Sequence, residues 1–192
     1  MHSTPPPPPH DGSAVLPWVR GLAAGDEDAL GPWYELEYPV IYRLCLGFLA
    51  SQADAEDAAQ DAMLQLARKI GLWQPNQPYG PWRNSVVANL CRDRLRAQGR
   101  REFHEREAMQ RRGQRSVAAT PEPDWQETIC QALAWLSPRE RECFVLVDLE
   151  GHGAEQAGQQ LGLAASSVRA HLSAARRKLR SQLEPLGPEE QA

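Results

Sequence analysis

The sequence has no run of about 20 apolar residues, the length that a membrane-spanning helix requires. Its start shows no basic region followed by an apolar one, so we expect no signal peptide and no membrane insertion. P-loop, HExxH and nucleophile-elbow motifs are missing, and no residues cluster at metal-ligand spacing. The sequence therefore predicts a protein that is not an enzyme, with no catalytic residues, no metal and no cofactor.

Cysteine is sparse, and no two cysteines form a Cys-x-x-Cys pair: Cys45, Cys91, Cys130 and Cys143. Each lies beside apolar residues in a helical pattern, which favours small core filler over a metal or disulfide role. A cytoplasmic, reduced protein fits this usage best. Alternation of apolar and polar residues, the sign of strands, is lacking too, so we expect an all-α fold.

The net charge is −4, which argues against nucleic-acid binding until the charges are located. Residues 92–115 hold nine arginines against four acidic residues, and residues 169–180 hold five basic residues and no acidic one. The first 66 residues hold ten acidic residues against Arg20 and Arg43. This segregation predicts two basic surfaces for phosphate and acidic surfaces that suit a basic protein.

Residues 137–183 carry the pattern of a helix-turn-helix. Ser137 and Glu140 are spaced as a capping box, with a proline between them at the first helical position. The helix that they start is predicted to run from Pro138 to about Leu149.

A short helix is predicted next, over about 154–161. Its inward residues are mostly small, Gly158 among them, which predicts that another helix crosses it closely. Gly162 makes the turn, and the last helix is expected from about Ser166 to Leu183.

The last helix has two faces. Its apolar stripe has helical spacing: Val168, Leu172, Ala175 and Leu179. Its other face is basic or polar: Arg169, His171, Ser173, Arg176, Arg177, Lys178 and Arg180. We interpret it as a DNA recognition helix, with Arg177 and Arg180 on phosphates and Arg169 near base edges. The alternative is a solvated basic face on an ordinary helical hairpin.

Two helices in the first half of the chain carry polar stripes. One is predicted from a cap at Asp54 to about Ile70, with an exposed leucine among acidic and amide groups, a pattern suited to a basic helical partner. The other, over 81–98, has a stripe of Ser85, Asn89, Arg92 and Arg96 for bases and phosphates. The irregular, aromatic-rich segment 71–81 before it is suited to stacking an unpaired base. A solvated helix face beside a packed loop is the alternative.

Proline and glycine mark the remaining boundaries. Five consecutive prolines lie within residues 1–12, a segment interpreted as a solvated tail, with peptide docking as the alternative. A helix is expected from Ala14 to Ala24, stopped by Gly25. In the segment 28–50, Pro39 is expected to kink or split a helix.

We therefore predict two all-helical domains joined by a flexible, basic linker, the second containing the helix-turn-helix. The expected boundaries are a tail at 1–12, a domain at 13–101, a linker at 102–124, a domain at 125–183 and a tail at 184–192.

These motifs resemble the extracytoplasmic-function (ECF) sigma factors, the small two-domain branch of the sigma-70 family of bacterial transcription initiation factors. The resemblance covers about 25–101 and 126–183. Its most specific strings are DAEDAAQDAMLQLARK at 54–69, PWRNSVVANLCRDRLRAQGRR at 81–101, LSPRERECFVLVDLEG at 136–151 and ASSVRAHLSAARRKLR at 165–180.

The resemblance implies a function in directing core RNA polymerase, through its β and β′ subunits, to promoter DNA. It implies polymerase contacts by one helix face: Asp57, Gln60, Asp61 and Leu64. It implies reading and melting of the −10 element by the next helix: Trp82, Ser85, Asn89, Arg92 and Arg96. It implies major-groove reading of the −35 element by the last helix: Ser166, Ser167, Arg169, Ala170, His171, Ser173, Arg176 and Arg177.

The same resemblance implies that Asn89 and the loop 75–80 hold an extruded base of the non-template strand. It also implies a linker in the RNA-exit path and an anti-sigma factor as partner. The chain departs from the family at Ala164, which stands at the expected helix cap, for which Ser166 or Ser167 is a substitute. It also has His171 and Ala174 where the family commonly has arginines.

Two other functions are compatible with parts of the sequence. A stand-alone helix-turn-helix regulator would explain residues 137–183, but not the face over 57–64 or the helix over 82–101. An enzyme that uses the helical bundle as a scaffold would require a catalytic motif, and the sequence shows none.

Overall fold

The computed structural model describes residues 14–109 and 125–183, of which 101–109, 125–127 and 183 are described by their backbone alone. The tails predicted at 1–12 and 184–192 lie outside the described residues, as does the linker from residue 110 onward.

The described residues form helices and turns, which confirms the all-α prediction. The helices are α1 (Leu16–Ala23), α2 (Leu30–Leu49), α3 (Gln52–Lys69), α4 (Tyr79–Met109), α5 (Trp125–Ala134), α6 (Pro138–Phe144), α7 (Ala154–Leu161) and α8 (Ala165–Leu183). Short 3-10 turns precede α2 and follow α3, and a π-helical segment, Val145–Leu149, continues α6. We call α1–α4 the N-terminal half and α5–α8 the C-terminal half.

Local signals place several helix ends where the sequence predicted them. The Ser137 hydroxyl accepts the Glu140 N–H at 3.4 Å, and the Glu140 carboxylate accepts the Ser137 N–H at 2.8 Å, so the capping box is confirmed. Gly25 and Gly162 have positive φ angles of 86° and 65°, at turns where an L side chain would be strained.

Other helix ends differ from the prediction. Ser51, not Asp54, caps α3, because the Ser51 hydroxyl accepts the Asp54 N–H at 3.4 Å. Pro39 lies inside the unbroken α2, whose burial against the core outweighs the one backbone hydrogen bond that proline removes. Helix α4 starts at Tyr79 and continues to Met109 instead of fraying near Arg101, because Arg, Glu, Ala and Met are good helix formers even without an apolar face.

The apolar stripes that the sequence predicted form the core. Val168, Leu172, Ala175 and Leu179 of α8 are all buried. All four cysteines are buried free thiols, as core filler predicts, and burial raises the pKa of Cys143 to about 11. Thiols held protonated in this way are poor nucleophiles.

The two halves of the chain pack directly against each other. The largest core cluster contains residues of α2, α3 and α4 together with Cys143, Val145 and Leu146 of the C-terminal half. At Gly47 of α2 the approach is so close that a Cβ atom would lie 2.7 Å from a methyl group of Val145. The prediction of two domains joined by a flexible linker did not include this contact.

Gly158 has a different role from the one predicted. A Cβ atom at this position would lie 2.6 Å from the carbonyl oxygen of Leu163, whose own N–H donates to the Gly158 carbonyl at 2.9 Å. The backbone that follows α7 therefore folds back onto Gly158. Glycine is required there by the turn of the helix-turn-helix, not by a crossing helix.

This geometry predicts opposite effects for one substitution at two helical glycines. Gly158→Ala should lower the free energy of unfolding by about 1 kcal/mol or more, because the new methyl group collides with backbone. Gly99→Ala in α4 should raise it by about 0.5–1 kcal/mol, because nothing lies within 4 Å of the new atom and alanine favours a helix. Urea denaturation measures both, and effects of the same sign would contradict the assignment.

Candidate nucleic-acid interface

Helix α8 presents the predicted polar face to solvent. Its residues for DNA contact are exposed or half-buried, opposite the buried stripe: Ser166, Ser167, Arg169, Ala170, His171, Ser173, Arg176 and Arg177. A groove of about 450 Å³ lies on this face and is lined by Arg169, Leu172, Ser173, Arg176, Arg177 and Arg180. Four guanidinium groups around one groove form a surface suited to the phosphate backbone of DNA.

The first turn of α8 has no side-chain cap at the expected position. The Ala164 carbonyl accepts the Val168 N–H at 3.1 Å, and the helix begins at Ala165, so Ala164 occupies the cap position. Ser166 and Ser167 lie within the first turn, so the expectation that one of them replaces the cap is wrong. N–H groups at such a helix start favour an anion.

Two arginines of the basic face form ion pairs with carboxylates of the C-terminal half. Arg169 pairs with Glu155 of α7 at 2.5 Å, and the Arg176 guanidinium makes two bonds to the Asp148 carboxylate, one of them at 2.9 Å. The hydrogen bond to Asp148 raises the pKa of Arg176. These ion pairs are exposed and therefore weak. They orient the arginines, but a competing phosphate can replace them at little energetic cost.

Lys178 points away from the DNA-facing surface that the sequence assigned to it. Its ammonium group lies 2.6 Å from the carboxylate of Glu140, which also completes the capping box of α6. Burial would raise the pKa of Glu140, but the bonds from Lys178 and from the Ser137 N–H outweigh it, and the net shift is downward. Lys178 therefore links α8 to α6 through an ion pair. Arg177 and Arg180 are exposed, and no ion pair is seen for either among the described residues.

The predicted face of α3 is exposed as a unit: Asp57, Gln60, Asp61 and Leu64. Asp61 has an additional role, because its carboxylate pairs with Arg94 of α4, which also donates to the Asp57 carbonyl at 3.1 Å. Changing Asp61 would remove this ion pair between α3 and α4 as well as altering the face. Leu64 is the better probe of this face, because 56% of its surface is exposed.

The predicted residues of α4 are divided between solvent and the protein interior. Asn89 and Arg96 are exposed. Ser85 donates to the Pro81 carbonyl at 2.9 Å and so stabilises its own helix.

The Arg92 Nε donates to a Glu142 oxygen of α6 at 2.7 Å, which turns this arginine toward the C-terminal half. Trp82 is half-buried, with its ring 5.7 Å from that of Tyr79.

The aromatic residues Trp73, before α4, and Tyr79, at its first position, belong to the core. The Trp73 ring nitrogen donates to the Gln77 carbonyl at 3.1 Å, and the Tyr79 hydroxyl accepts from the Trp33 ring nitrogen at 3.2 Å. Burial and the nearby Glu37 carboxylate raise the pKa of Tyr79. Trp73 and Tyr79 are both buried, so the expectation that this aromatic loop stacks a base holds for neither of them.

Sequence reasoning missed a group of buried charges between the halves. The Arg83 side chain is 1% exposed and lies 3.2 Å from Glu37 of α2 and 3.5 Å from Glu150, beyond the π-helical segment. Arg43 of α2 also pairs with Glu150, at 3.3 Å. The sequence signal that could have revealed this buried group was Glu37, which falls four residues after Trp33 on an apolar stripe. A carboxylate on a buried stripe requires a buried cation.

The described residues hold no group of three or more histidine, cysteine or acidic side chains placed to bind a metal ion. Among the same residues, no helix is both long and apolar enough to cross a membrane.

Two family models match the chain in the order of its halves. Sigma-70 region 2 matches residues 33–101, and Sigma-70, region 4 matches residues 127–179. The chain is 31% identical over 171 residues to the ECF RNA polymerase sigma factor SigE of Mycolicibacterium smegmatis, a match that spans 84% of this chain and 65% of SigE. It is 29% identical to SigM of Mycobacterium tuberculosis, over 81% of this chain and 78% of SigM.

Two solved structures have a similar fold. The sigma factor RpoE in its complex with the anti-sigma factor NepR from Bartonella quintana gives a TM-score of 0.61 at 23% identity, over 79% of this chain and 94% of RpoE. CnrH in complex with the cytosolic domain of CnrY gives a TM-score of 0.63 at 21% identity, over 90% of this chain and 99% of CnrH. At these identities the likeness extends to the helical architecture.

Proposed function

The chain belongs to the ECF sigma factors of the sigma-70 family, and we propose that it directs core RNA polymerase to specific promoters through three separate helix faces. The observation that carries this proposal is the position of those faces. The exposed faces of α3 and α4 lie within the region 2 match, and the basic face of α8 lies within the region 4 match. Each half therefore pairs one family region with a surface of suitable chemistry.

The face of α3 is the contact for polymerase. Asp57, Gln60 and Leu64 offer a carboxylate, an amide and an exposed apolar side chain within two turns of one helix. A basic amphipathic helix of the partner would find both charge and apolar complementarity there. This chemistry fits the β′ subunit that the family resemblance implies, with β as a further contact.

The N-terminal half reads and melts the −10 element. Asn89 is exposed and its amide can both donate to and accept from a base edge, and Arg96 is exposed beside it on α4. The loop 75–78, which is also exposed, precedes the helix and would hold the extruded base against Trp82. Arg92 would also contact DNA on this surface once its hydrogen bond to Glu142 is broken.

The C-terminal half reads the −35 element. The first turns of α8 enter the major groove, so that Arg169 and the half-buried His171 lie near base edges while Arg177 and Arg180 lie near phosphates. His171 and Ala174 replace arginines that are common in the family. Each missing base contact lowers discrimination by about 1–3 kcal/mol, so we propose that −35 recognition depends mainly on Arg169 and Arg176.

The remaining parts of the proposal concern partners and organisation. The RpoE and CnrH structures are complexes, and RpoE is bound to an anti-sigma factor. We propose an anti-sigma partner for this chain as well, together with a cytoplasmic location, where promoter DNA and polymerase are found. The domain boundaries at 13–101 and 125–183 are retained, with α4 extending the first domain to Met109.

A stand-alone helix-turn-helix regulator remains the second candidate. It would bind DNA through α8 without polymerase and would leave the face of α3 without a partner. Dependence on core polymerase distinguishes the two functions. Purified core polymerase with this chain should transcribe a subset of a promoter library, whereas the regulator would bind the same DNA with or without polymerase.

Replacing Leu64 by glutamate tests the polymerase contact. Leu64→Glu places a charge on the α3 face without entering the core, so we expect co-migration with core polymerase and transcription to be lost while far-UV circular dichroism stays the same. Leu72→Glu is the matched control, because Leu72 is 73% exposed and lies outside that face. Equal polymerase binding by the two variants would rule out this face.

Replacing Arg177 by alanine tests contact with phosphate. Arg177→Ala should weaken holoenzyme binding about equally on all −35 sequences and reduce the slope of log K against log salt by about 0.9. Arg20→Ala in α1 removes the same charge from an exposed site and serves as the control. Arg169→Ala should instead relax preference at one −35 base pair, and a uniform loss for that variant would refute a reading role.

Replacing Asn89 by alanine tests capture of a base. We expect Asn89→Ala to reduce transcription strongly from a duplex promoter, because capture of the base must offset a few kcal/mol of unpairing. On a template with a mismatched −10 bubble the defect should be smaller but still present, since the base contact is missing. Permanganate footprinting reports the opened strand. Opening of duplex promoters at the parent level, with unchanged −10 preference, would show that Asn89 captures no base.

A further inference from the structure

The two halves meet through polar contacts as well as through the apolar contact at Gly47. Arg141 of α6 donates to the Phe48 carbonyl at 3.2 Å, and Glu142 accepts from Arg92 at 2.7 Å. Glu150 accepts from Arg83 and Arg43, and the Asn84 amide nitrogen lies 2.7 Å from Nε2 of His152. The C-terminal half therefore contacts the side of α4 that bears Asn84 and Arg92.

The packing of the two halves covers part of the α4 surface that we assign above to the −10 element. Arg92 is 14% exposed, and its Nε is bonded to a carboxylate that is itself buried. Glu142 also binds Arg139 at 2.8 Å, which holds it in place. While the halves are packed in this way, Arg92 cannot contact a phosphate. Use of the whole α4 surface requires the halves to separate.

The contact between Asn84 and His152 has a fixed hydrogen-bond direction. The Arg83 guanidinium can only donate, and its Nε donates to the Asn84 side-chain oxygen at 2.8 Å. Asn84 is buried, so turning its amide over would place an NH₂ group against the Arg83 N–H. Its NH₂ group is therefore directed at His152, and Nε2 of His152 must be the unprotonated acceptor.

The backbone holds His152 in this position. The His152 N–H donates to the Leu146 carbonyl at 2.9 Å and the Glu150 N–H donates to the Val145 carbonyl at 3.0 Å, around Gly151 with a φ of 72°. The turn that carries both interface groups is thus anchored to the π-helical segment. A proton on Nε2 would bring its N–H against the NH₂ group of Asn84, which lies 2.7 Å away.

We propose that the chain is closed by a directed hydrogen-bond series from Arg83 through Asn84 to a neutral His152, and that protonation of His152 separates the two halves and frees Arg92 on the α4 surface. This inference rests on the proposed function only for the consequence of opening, since the closed contact itself is independent of DNA and polymerase. Mild acidification is the signal that this contact would detect.

The charges around His152 determine the direction of the pH effect. Arg83 on α4 and Arg43 on α2 are the nearby cations, Glu150 and Glu37 are the nearby anions, and Gln156 of α7 hydrogen-bonds to the ring. Burial lowers the pKa of His152, and Gln156 and Glu150 only partly oppose it. Because the closed state disfavours the proton, closure is fully favoured above the ordinary histidine pKa of about 6.5 and weakens as the pH falls below it.

Small-angle X-ray scattering of the full chain at about pH 7.5 and about pH 5.5, on either side of the ordinary histidine pKa, tests the proposal. The parent protein should show a radius of gyration that is several ångströms larger at the lower pH, with helicity unchanged by circular dichroism. His152→Gln supplies a carbonyl oxygen that accepts from Asn84 at both pH values, so this variant should stay compact.

Gly47→Ala is the matched control for opening. Its methyl group would meet Val145, whose β-branched side chain cannot easily give way, so the variant should be expanded at both pH values. A parent protein whose radius does not change would overturn the proposal. An equal expansion of the parent and His152→Gln, or a loss of helicity over the same pH range, would overturn it as well.

The scattering experiment contains neither DNA nor polymerase, so its failure is separate from failure of the proposed function. If His152 does not control the radius but the chain still supports promoter-specific transcription, the closing contact is wrong and the sigma function stands. If the radius responds as expected, the proposal is supported even where transcription with core polymerase fails.

Discussion

Arg83 is a buried cation whose partners lie on both halves of the chain, and its burial constrains the rest of the molecule. An unpaired guanidinium in the interior would cost several kcal/mol, so Glu37 and Glu150 must both lie near it. Arg43 balances the second carboxylate, which gives two cations and two anions at one site. Such a group adds little net stability compared with apolar packing, but it allows few alternative arrangements. The ionic group therefore determines where the halves dock, while the apolar contacts around Gly47 supply the attraction.

The same residue connects the interior to the surfaces that we propose for partners. Arg83 orients Asn84, Asn84 contacts His152, and the turn that holds His152 leads into α7 and α8. On the other side, α4 carries both Arg83 and the exposed Asn89 and Arg96. A change in the docking of the halves would thus alter the exposure of the α4 surface proposed for the −10 element without altering the helices of either half.

Much of the fold could be predicted from the sequence because its signals are local. The capping box at Ser137, the turn at Gly162 and the apolar stripe of α8 each depend on residues within a few turns of one another. The exposed faces of α3 and α8 followed from the same helical period. Docking of the halves could not be predicted, since Arg83 and Glu150 are 67 residues apart and Arg43 and Glu150 are 107 apart. For the same reason the partners of Asp61, Arg92 and Lys178 were missed, and Trp73 and Tyr79 were assigned to DNA although they support the core.

The pairing of Arg169 with Glu155 and of Arg176 with Asp148 means that the recognition helix carries its own counterions. When such an arginine turns to the DNA, the DNA releases a cation but the vacated carboxylate attracts one. The exchange is nearly neutral in released ions, unlike the phosphate contacts proposed for Arg177 and Arg180, which would release ions to the solution. The salt dependence of promoter binding would therefore reveal fewer arginine contacts with DNA than the helix makes. It also means that binding by α8 would tolerate changes in ionic strength better than its number of arginines implies.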